Sequence, residues 1–213
     1  LSMAQAIERA INQRTHLVAE AGTGTGKTFA YLIPAILSGK KTIISTGTRN
    51  LQDQIFEKDF PLIRDILKRP VEGAVLKGRA NYLCLYRLNQ AKMQTSSLIK
   101  ETDVELTEIE RWSHQTLEGD IAEVTSVAED SLVWQQVTST ADNCLGQECP
   151  MVSECFPLIA RKKAQEVDVL IVNHHLLCAD WSLKDDGFGQ LLPEAELIII
   201  DEAHQLIDTA SRF

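Results

Sequence analysis

Short apolar runs separated by polar stretches give the chain an alternating pattern of predicted strands and helices. Apolar and β-branched runs predict strands at residues 16–19, 41–45, 71–76, 168–172 and 197–200. Helices are predicted between them, at residues 3–13, 29–37 and 49–56, the second with a bend at Pro34. The last two strand runs are short and continuously apolar, as buried parallel strands are. The pattern therefore predicts an α/β fold with a parallel, doubly wound sheet.

The stretch 142–157 breaks this alternating pattern, because it contains three cysteines, two prolines and a glycine. The sequence shows no internal repeat and no low-complexity tract. A chain of 213 residues, 44% of them hydrophobic, is long enough to bury a core. We therefore expect one domain that carries an insertion.

Membrane and secretion signals are not visible in the sequence. No apolar run approaches the roughly 20 residues that a membrane-spanning helix needs, and the start does not read as a secretory signal. Leu1 is not an initiator methionine, so we expect the sequence to begin inside a longer chain. Five cysteines without a signal peptide favour metal binding over disulfides, and the expected compartment is the cytoplasm.

The net charge of −9 is unevenly distributed along the chain. Ten acidic residues and one basic residue, Arg111, lie between Glu101 and Asp130, and they account for the whole excess. We expect that segment to be solvated surface. The segment from Gly73 to Lys100 has no acidic residue, and its basic and tyrosine residues are Lys77, Arg79, Arg87, Lys92, Lys100, Tyr82 and Tyr86. This composition suits a strand of nucleic acid, although a solvated helix face remains the alternative.

A glycine-rich phosphate-binding sequence stands near the start of the chain. It reads Ala21-Gly22-Thr23-Gly24-Thr25-Gly26-Lys27-Thr28 and has Ala21 where the general pattern has a glycine. The glycines let the backbone turn tightly, so that successive N–H groups and the following helix can hold phosphates. Lys27 would reach the β- and γ-phosphates of ATP, and Thr28 would bind Mg²⁺. A purely structural turn is the alternative, and this combination of residues disfavours it.

A second signature, Ile198-Ile199-Ile200-Asp201-Glu202-Ala203-His204, is an apolar strand followed by two carboxylates. Asp201 would hold Mg²⁺ in an oxygen shell, and Glu202 would orient or deprotonate the attacking water. His204 would connect the nucleotide site to the moving parts. An ordinary strand with an acidic helix start is the alternative, and the upstream phosphate-binding sequence makes it much weaker.

Four cysteines have a spacing that suggests a metal site: Cys84, then a long gap, then Cys144-x4-Cys149-x5-Cys155. Thiolates suit zinc or an iron–sulfur cluster. Zinc sites usually contain tighter Cys-x2-Cys pairs, and a [4Fe–4S] cluster takes four cysteines. The spacing favours the cluster and leaves zinc open. We expect the fifth cysteine, Cys178, to be a packed thiol.

Five stretches of the sequence together match one known family. They are Glu20–Thr28, Ile44–Thr48, Leu76–Cys84, Val172–Leu176 and Asp201–His204. On these stretches the chain resembles the iron–sulfur DNA helicases of superfamily 2, the XPD/DinG family. The five stretches are spread over nearly the whole chain. Together they indicate this family more specifically than any one of them does alone.

The resemblance implies a RecA-like P-loop NTPase domain that carries an inserted iron–sulfur domain. Residues 1–77 and 158–213 would form the first motor domain, cut off after its DEAH box, and residues 78–157 would form the insertion. ATP, Mg²⁺ and a [4Fe–4S] cluster held by the four cysteines are the implied cofactors. We expect loss of the cluster to loosen residues 78–157, because they show little apolar periodicity that could replace it.

The implied function of the whole protein is 5′-to-3′ translocation on single-stranded DNA and unwinding of forked duplexes, in DNA repair or replication and with protein partners from those processes. Such enzymes need a second motor domain with an arginine finger, so residues 1–213 alone are expected to be nearly inactive. An ATP-driven regulatory switch and a redox-sensing DNA-binding module are the rival functions.

The resemblance also implies DNA contacts outside the two ATPase signatures. Ser45, Thr46 and Thr48 would hold phosphates of single-stranded DNA, although such residues also cap helices. The basic segment from Gly73 to Lys100, which contains no acidic residue, predicts a second set of DNA contacts beside Cys84, at Arg79, Tyr82 and Arg87. The pair His174-His175 is interpreted as part of the domain core or the DNA path and not as a metal site.

Overall fold

The computed structural model describes residues 2–22, 24–94, 100–185, 187 and 190–213. The chain divides into two units. The first unit combines Leu1–Leu76 with Lys163–Phe213, and the second is Lys77–Lys162.

The first unit contains a four-stranded parallel sheet. Its strands are β1 (Thr42–Thr46), β2 (Gly73–Val75), β3 (Val169–Asn173) and β4 (Leu197–Ile200), in the spatial order β2-β3-β1-β4. Ser45 of β1 is in register with Val172 on one side and with Ile200 on the other. The carboxyl ends of these three strands therefore lie at one edge of the sheet. The α/β class with a parallel sheet is confirmed.

The helices connect the strands of the first unit and form most of the second. The helices of the first unit are α1 (Ser2–Gln13), α2 (Lys27–Ser38), α3 (Arg49–Gln54), α4 (Phe60–Leu67), α9 (His174–Asp185) and α10 (His204–Ala210). Those of the second unit are α5 (Leu85–Gln94), α6 (Lys100–Ser113) and α7 (Val133–Val137). The helix α8 (Phe156–Glu166) begins in the second unit and ends in the first. A π-helix, Ile55–Asp59, joins α3 to α4. Short 3-10 helices lie at Arg79–Asn81, Ile121–Glu123, Gly146–Glu148 and Val152–Glu154. No helix among the described residues is long and apolar enough to cross a membrane.

Most predicted elements are confirmed to within one or two residues at each end. The run 197–200 is a strand with those bounds, and the runs 41–45 and 168–172 are strands displaced by one residue. The predicted helix 49–56 is only the first part of a longer helical segment, which passes through the π-helix to Leu67.

The predicted strand at 16–19 is wrong. This segment has no regular structure, and Val18 is 99% exposed. A strand exists only when its N–H and C=O groups pair with a neighbour, and this segment pairs with none of the described strands. The expectation that β4 is buried is also wrong, because Ile198 is 44% exposed. β4 pairs with β1 alone among the described strands, so one of its edges is open.

The core of the first unit lies between the sheet and the helices α2 and α4. Leu32 of α2 and Ile63 of α4 are almost completely buried, and they belong to the same apolar cluster as Ile44 of β1 and Ile171 of β3. The apolar residues of α4 recur at helical spacing, so one side of this short helix faces the cluster. The sheet and the helices therefore stabilise each other by burying apolar surface.

The second unit has an apolar core of its own. Its twelve buried residues are Tyr82, Leu83, Leu88, Ala91, Leu106, Ile109, Val124, Val127, Val133, Trp134, Val137 and Phe156. The same unit contains an ion pair: Lys77 Nζ lies 2.6 Å from Asp120 Oδ2, and the Lys77 side chain is only 4% exposed. The structure thus gives this unit apolar contacts that its weak apolar pattern does not show, and the loosening expected on loss of a cluster stays a prediction. Its apolar residues come from several short helices and loops, so no long periodic pattern marks them in the sequence.

Two isoleucines of α4 provide a test of the first core. Ile63 is 1% exposed and Ile66 is 64% exposed, although they are three residues apart in one helix. We expect Ile63→Ala to lower the free energy of unfolding by about 2–5 kcal/mol, because it removes buried methylene groups and leaves a cavity. Ile66→Ala should change it by less than about 0.5 kcal/mol. Urea unfolding followed by circular dichroism measures both, and equal losses would contradict the burial of Ile63.

Candidate functional site

The phosphate-binding loop lies between α1 and α2, immediately before Lys27. Gly24 and Gly26 have positive φ angles of 72° and 78°, which glycine adopts at little cost because it has no Cβ. Gly26 is the N-cap of α2, and Thr25 donates its hydroxyl hydrogen to the carbonyl oxygen of Gly22 at 2.8 Å. Ala21 is half-buried, and Thr23 lies outside the described residues. The loop thus leads directly into the N-terminus of a twelve-residue helix, where N–H groups and the helix dipole favour an anion.

The two ATPase signatures meet at the ammonium group of Lys27. Lys27 Nζ lies 2.9 Å from Glu202 Oε1, and each side chain is 26% exposed. The hydrogen bond from Lys27 is the main reason why the pKa of Glu202 is lowered, and the same bond raises the pKa of Lys27. Both groups are therefore charged at neutral pH. The lysine that is predicted to bind phosphate and the candidate base are in direct contact although 175 residues separate them.

Asp201 is the first residue after β4, and its position is fixed on several sides. Its Oδ2 accepts a hydrogen bond from the Tyr31 hydroxyl at 3.1 Å, and its Oδ1 accepts one from the backbone N–H of Glu202 at 3.0 Å. Burial and the nearby Asp201 charge raise the pKa of Tyr31, so the phenol stays protonated and donates. A hydrogen bond with Thr28 acts on the same phenol. Thr28 and Asp201, the two expected Mg²⁺ ligands, therefore both neighbour Tyr31.

Glu202 lies in the turn between β4 and α10, and His204 is the first residue of α10. Glu202 has a positive φ angle of 52°, which is uncommon for a residue with a side chain. Its second carboxylate oxygen, Oε2, lies 3.5 Å from His204 Nδ1, and the His204 side chain is 70% exposed. The carboxylate therefore lies between Lys27 and His204, on a turn whose backbone is strained.

The predicted DNA contacts at the end of β1 need a correction. Ser45 and Thr46 are completely buried, so their hydroxyl groups cannot contact DNA phosphates in this structure. Thr48 is exposed, and its side chain caps α3 by accepting a hydrogen bond from the Leu51 N–H at 3.3 Å. Of the three predicted residues, only Thr48 lies on the surface.

His174 is a residue of the site that the sequence interpretation left without a specific role. It is 1% exposed, so the expectation that it lies in the domain core is confirmed, whereas its neighbour His175 is exposed. His174 Nδ1 and Ser45 Oγ share a hydrogen bond of 2.7 Å. Burial lowers the pKa of His174, against the opposing effect of the Glu202 and Asp201 carbonyl groups. The sequence signal that could have identified His174 is its position as a polar residue directly after a buried strand.

The second unit contains a cavity of about 240 Å³ that is lined by all four predicted cysteine ligands: Cys84, Cys144, Cys149 and Cys155. All four are free thiols. Burial is the largest cause of the raised pKa of Cys84, and Cys149 and Cys155 act on the same thiol. Among the described residues, no three His, Cys, Asp or Glu side chains converge closely enough to hold a single metal ion. The remaining cysteine, Cys178, is buried in the first unit, as expected of a packed thiol.

The predicted DNA contacts near Cys84 also need a correction. Tyr82 is 4% exposed and belongs to the apolar core of the second unit, where its hydroxyl accepts a hydrogen bond from the Lys77 N–H. It cannot stack on a base in this structure. Arg79 Nη1 lies 2.7 Å from Cys144 Sγ, so this guanidinium faces the cysteines. Arg87 donates to the Gln135 carbonyl at 3.2 Å and lines the same cavity.

Comparisons with known proteins agree with the two ATPase signatures, at residues 21–28 and 198–204. The sequence matches the DEAD/DEAH box helicase family over residues 3–131. It is 54% identical to "ATP-dependent DNA helicase YoaA" of Haemophilus influenzae over 213 residues, which is 100% of this chain and 33% of that protein. It is 36% identical to "ATP-dependent helicase DinG" of Mycobacterium tuberculosis over 229 residues, covering 97% of this chain and 34% of that protein.

A solved structure supports the fold. The chain is similar to "Truncated XPD" with a TM-score of 0.53 and 15% sequence identity, over 97% of this chain and 53% of that one. At this identity the likeness concerns the fold alone. The chain spans about a third of the length of the curated relatives that it matches. The predicted resemblance is confirmed, and the chain belongs to the DEAD/DEAH box helicases, with the YoaA and DinG helicases as close relatives.

Proposed function

We propose that the chain is the nucleotide-binding part of an ATP-dependent DNA helicase that moves 5′ to 3′ on single-stranded DNA and unwinds duplexes in DNA repair or replication. The observation that carries this proposal is the 2.9 Å contact between Lys27 and Glu202. It joins a phosphate-binding loop to a strand that ends in two carboxylates, which is the arrangement that ATP hydrolysis requires. The relatives named as ATP-dependent helicases support the same activity.

Each residue of the nucleotide site has a role in this proposal. The loop 21–26 and the start of α2 hold the phosphates, and Lys27 binds the β- and γ-phosphates. Thr28 and Asp201 bind Mg²⁺ through oxygen atoms. Glu202, whose lowered pKa keeps it ionised, orients the attacking water or removes its proton. His204 contacts Glu202 from the solvent side and passes its state to groups outside the site.

The activity of the whole helicase needs more than these residues. A motor of this class closes two domains around ATP, and a second domain supplies an arginine finger worth about 10³–10⁵ in rate. We therefore expect residues 1–213 to bind ATP with Mg²⁺ and to hydrolyse it very slowly. Cysteines that hold a metal cluster suit a reducing compartment, and we propose that the protein is cytoplasmic.

Nucleotide binding tests the first part of the proposal. We expect Lys27→Ala to weaken binding of Mg²⁺–ATPγS by about tenfold or more, since a charge-assisted hydrogen bond contributes about 1.5–3 kcal/mol. Stability should change little, because a partly exposed ion pair contributes about 0–1 kcal/mol. Lys58→Ala, at an exposed lysine of the same unit, is the control. Equal affinities of wild type and Lys27→Ala in calorimetry would remove the assignment of the phosphate-binding loop.

The cavity of the second unit fits a [4Fe–4S] cluster, and we propose that Cys84, Cys144, Cys149 and Cys155 are its ligands. Each thiolate of such a cluster binds its own iron atom, so the four sulfur atoms need not converge on one point. Arg79 and Arg161 line the same cavity, and their positive charges would offset the negative charge of four thiolates. The bound cluster would cross-link the start of α5 to the loop between Cys144 and Cys155.

Iron content tests the cluster and separates it from zinc. Protein purified without oxygen should contain about four iron atoms per chain, and Cys84→Ser combined with Cys149→Ser should lose most of them. Cys178→Ser, at the buried thiol of the first unit, should keep the iron of the wild type. We expect the double variant to retain helical circular dichroism, because the second unit keeps its apolar core. One zinc atom per chain in place of iron, or full iron in the double variant, would contradict the proposed cluster.

Single-stranded and forked DNA are the proposed nucleic-acid partners. Ser45, Thr46 and Tyr82 are buried and Arg79 contacts Cys144, so Thr48 and Arg87 are the remaining candidate contacts. Thr48 begins an exposed segment that continues through Arg49 and Asn50. Arg87 is half-buried and keeps N–H groups beyond the one bonded to Gln135. Phosphate contacts by such groups fix the strand without reading its sequence.

Two substitutions at Thr48 test the DNA contact without removing the helix cap. Asp and Asn are both good N-cap residues, so Thr48→Asp and Thr48→Asn should keep α3 capped. The negative charge of Asp should weaken binding of a fluorescent oligonucleotide by about fivefold, since repulsion at about 4 Å costs about 1 kcal/mol. The loss should shrink as salt rises. Equal affinities of the two variants at low salt would show that DNA does not pass Thr48.

A further inference from the structure

His174 occupies a junction between two strands of the sheet and the Glu202 turn. It is the first residue of α9, immediately after β3, and it is 1% exposed. Its Nδ1 bonds to Ser45 Oγ on β1 at 2.7 Å, whereas its Nε2 is buried without a hydrogen-bond partner among the described residues. A buried, unpaired polar atom of this kind costs about 1–3 kcal/mol. Such a cost calls for a reason beyond packing.

The ring of His174 lies beside the backbone of the candidate catalytic turn. The carbonyl groups of Glu202 and Asp201 are close enough to act on it, although neither forms a hydrogen bond of good geometry with Nε2. The N–H of Asp201 also donates to the Ser45 carbonyl at 2.8 Å. Ser45 therefore contacts the turn through its backbone and His174 through its side chain.

The Glu202 turn has the features of an element with two arrangements. Its φ angle of 52° is strained, and its carboxylate is held by Lys27. A triphosphate would compete with Glu202 for the single ammonium group of Lys27. One ammonium group cannot bind two anions as strongly as it binds one. Nucleotide binding would therefore weaken the contact between Lys27 and Glu202, which is one of the contacts that hold the turn. A shift of the carbonyl groups of the turn would then bring one of them into bonding geometry with Nε2.

We propose that His174 is a positioning residue that transmits the state of the Glu202 turn to the end of β1, and this inference rests on the proposed function. The path consists of three contacts: the turn with the imidazole, the imidazole with the Ser45 hydroxyl, and Ser45 with the segment that follows it. The exposed segment 48–50 begins three residues after Ser45. Nucleotide at Lys27 thereby changes the backbone of the segment that includes Thr48.

A second contact brings the same two segments together. A methyl group at Gly47 would come within 2.0 Å of Gln205 Oε1, so Gln205 of α10 packs directly on the glycine. The N–H of Gln205 donates to the Glu202 carbonyl at 2.9 Å. The Glu202 turn and the segment after β1 are therefore adjacent, and a displacement of one alters the surface on which the other packs.

Hydrogen exchange with and without Mg²⁺–ATPγS tests this transmission. In the wild-type chain, nucleotide should change the exchange rate of peptides covering residues 198–206 and 44–52 by about fivefold or more, the lower end of usual allosteric coupling. His174→Leu keeps the apolar bulk and removes both ring nitrogens. In this variant, at nucleotide concentrations that saturate it in calorimetry, the change should persist in 198–206 and become clearly smaller in 44–52, where only the packing of Gln205 on Gly47 and the Asp201–Ser45 backbone bond would still carry it.

Three further variants make the outcome decisive. His174→Asn can still bond to Ser45 and should restore part of the response, and His175→Leu, at the exposed neighbour, should behave as the wild type. Ser45→Ala removes the other end of the bond and should reduce the response in 44–52 as His174→Leu does, which keeps the test valid if His174→Leu does not fold. A full response of 44–52 in both His174→Leu and Ser45→Ala would overturn the inference. Failure of the wild-type chain to bind nucleotide would instead overturn the proposed function.

Discussion

The parallel pairing of β1 with both β3 and β4 is the constraint on which the candidate site depends. Ser45 is in register with Val172 and Ile200, so the three strands end at the same edge of the sheet. His174 and Asp201 follow two of these ends directly. In open α/β sheets the carboxyl ends of the strands are the usual place for ligands. A one-residue slip of β4 would turn its alternate side chains to the opposite face and move Asp201 away from Tyr31.

The local apolar pattern was enough to predict all four strands of this sheet, but it also predicted a strand that the structure does not contain. Residues 169–172 are continuously apolar because both faces of β3 are covered, and such a run is visible in the sequence. The run 16–19 has the same local character, yet it forms no strand, because a strand needs a partner and this one has none among the described residues. The helical segment that begins at Arg49 is longer than the predicted helix 49–56. The π-helix at Ile55–Asp59 continues the helical segment where the pattern of the sequence changes.

The candidate nucleotide site was predictable because its residues lie in two contiguous signatures with fixed chemistry. The contact between Lys27 and Glu202 joins these signatures. The assignments to DNA failed where they depended on which way a side chain points. Ser45 and Tyr82 are residue types that contact nucleic acid on a surface, but here they are buried and hydrogen-bonded within the protein. Burial is decided by distant segments, and residue type alone does not reveal it.

The two units obtain their stability in different ways, and this changes the role that a cluster would have. The first unit is stabilised by a sheet with helices packed on it, whereas the second depends on an apolar cluster collected from short helices and loops. Cys84 and Cys144 are 60 positions apart in the sequence. A cross-link that closes a loop of about 60 residues removes about 4 kcal/mol of chain entropy from the unfolded state in the disulfide model. Because the apolar core already packs the second unit, a cluster would add to an existing fold. The 3-10 helices Gly146–Glu148 and Val152–Glu154 of the cysteine loop contribute no buried residue. The main structural effect of the cluster would therefore fall on this loop.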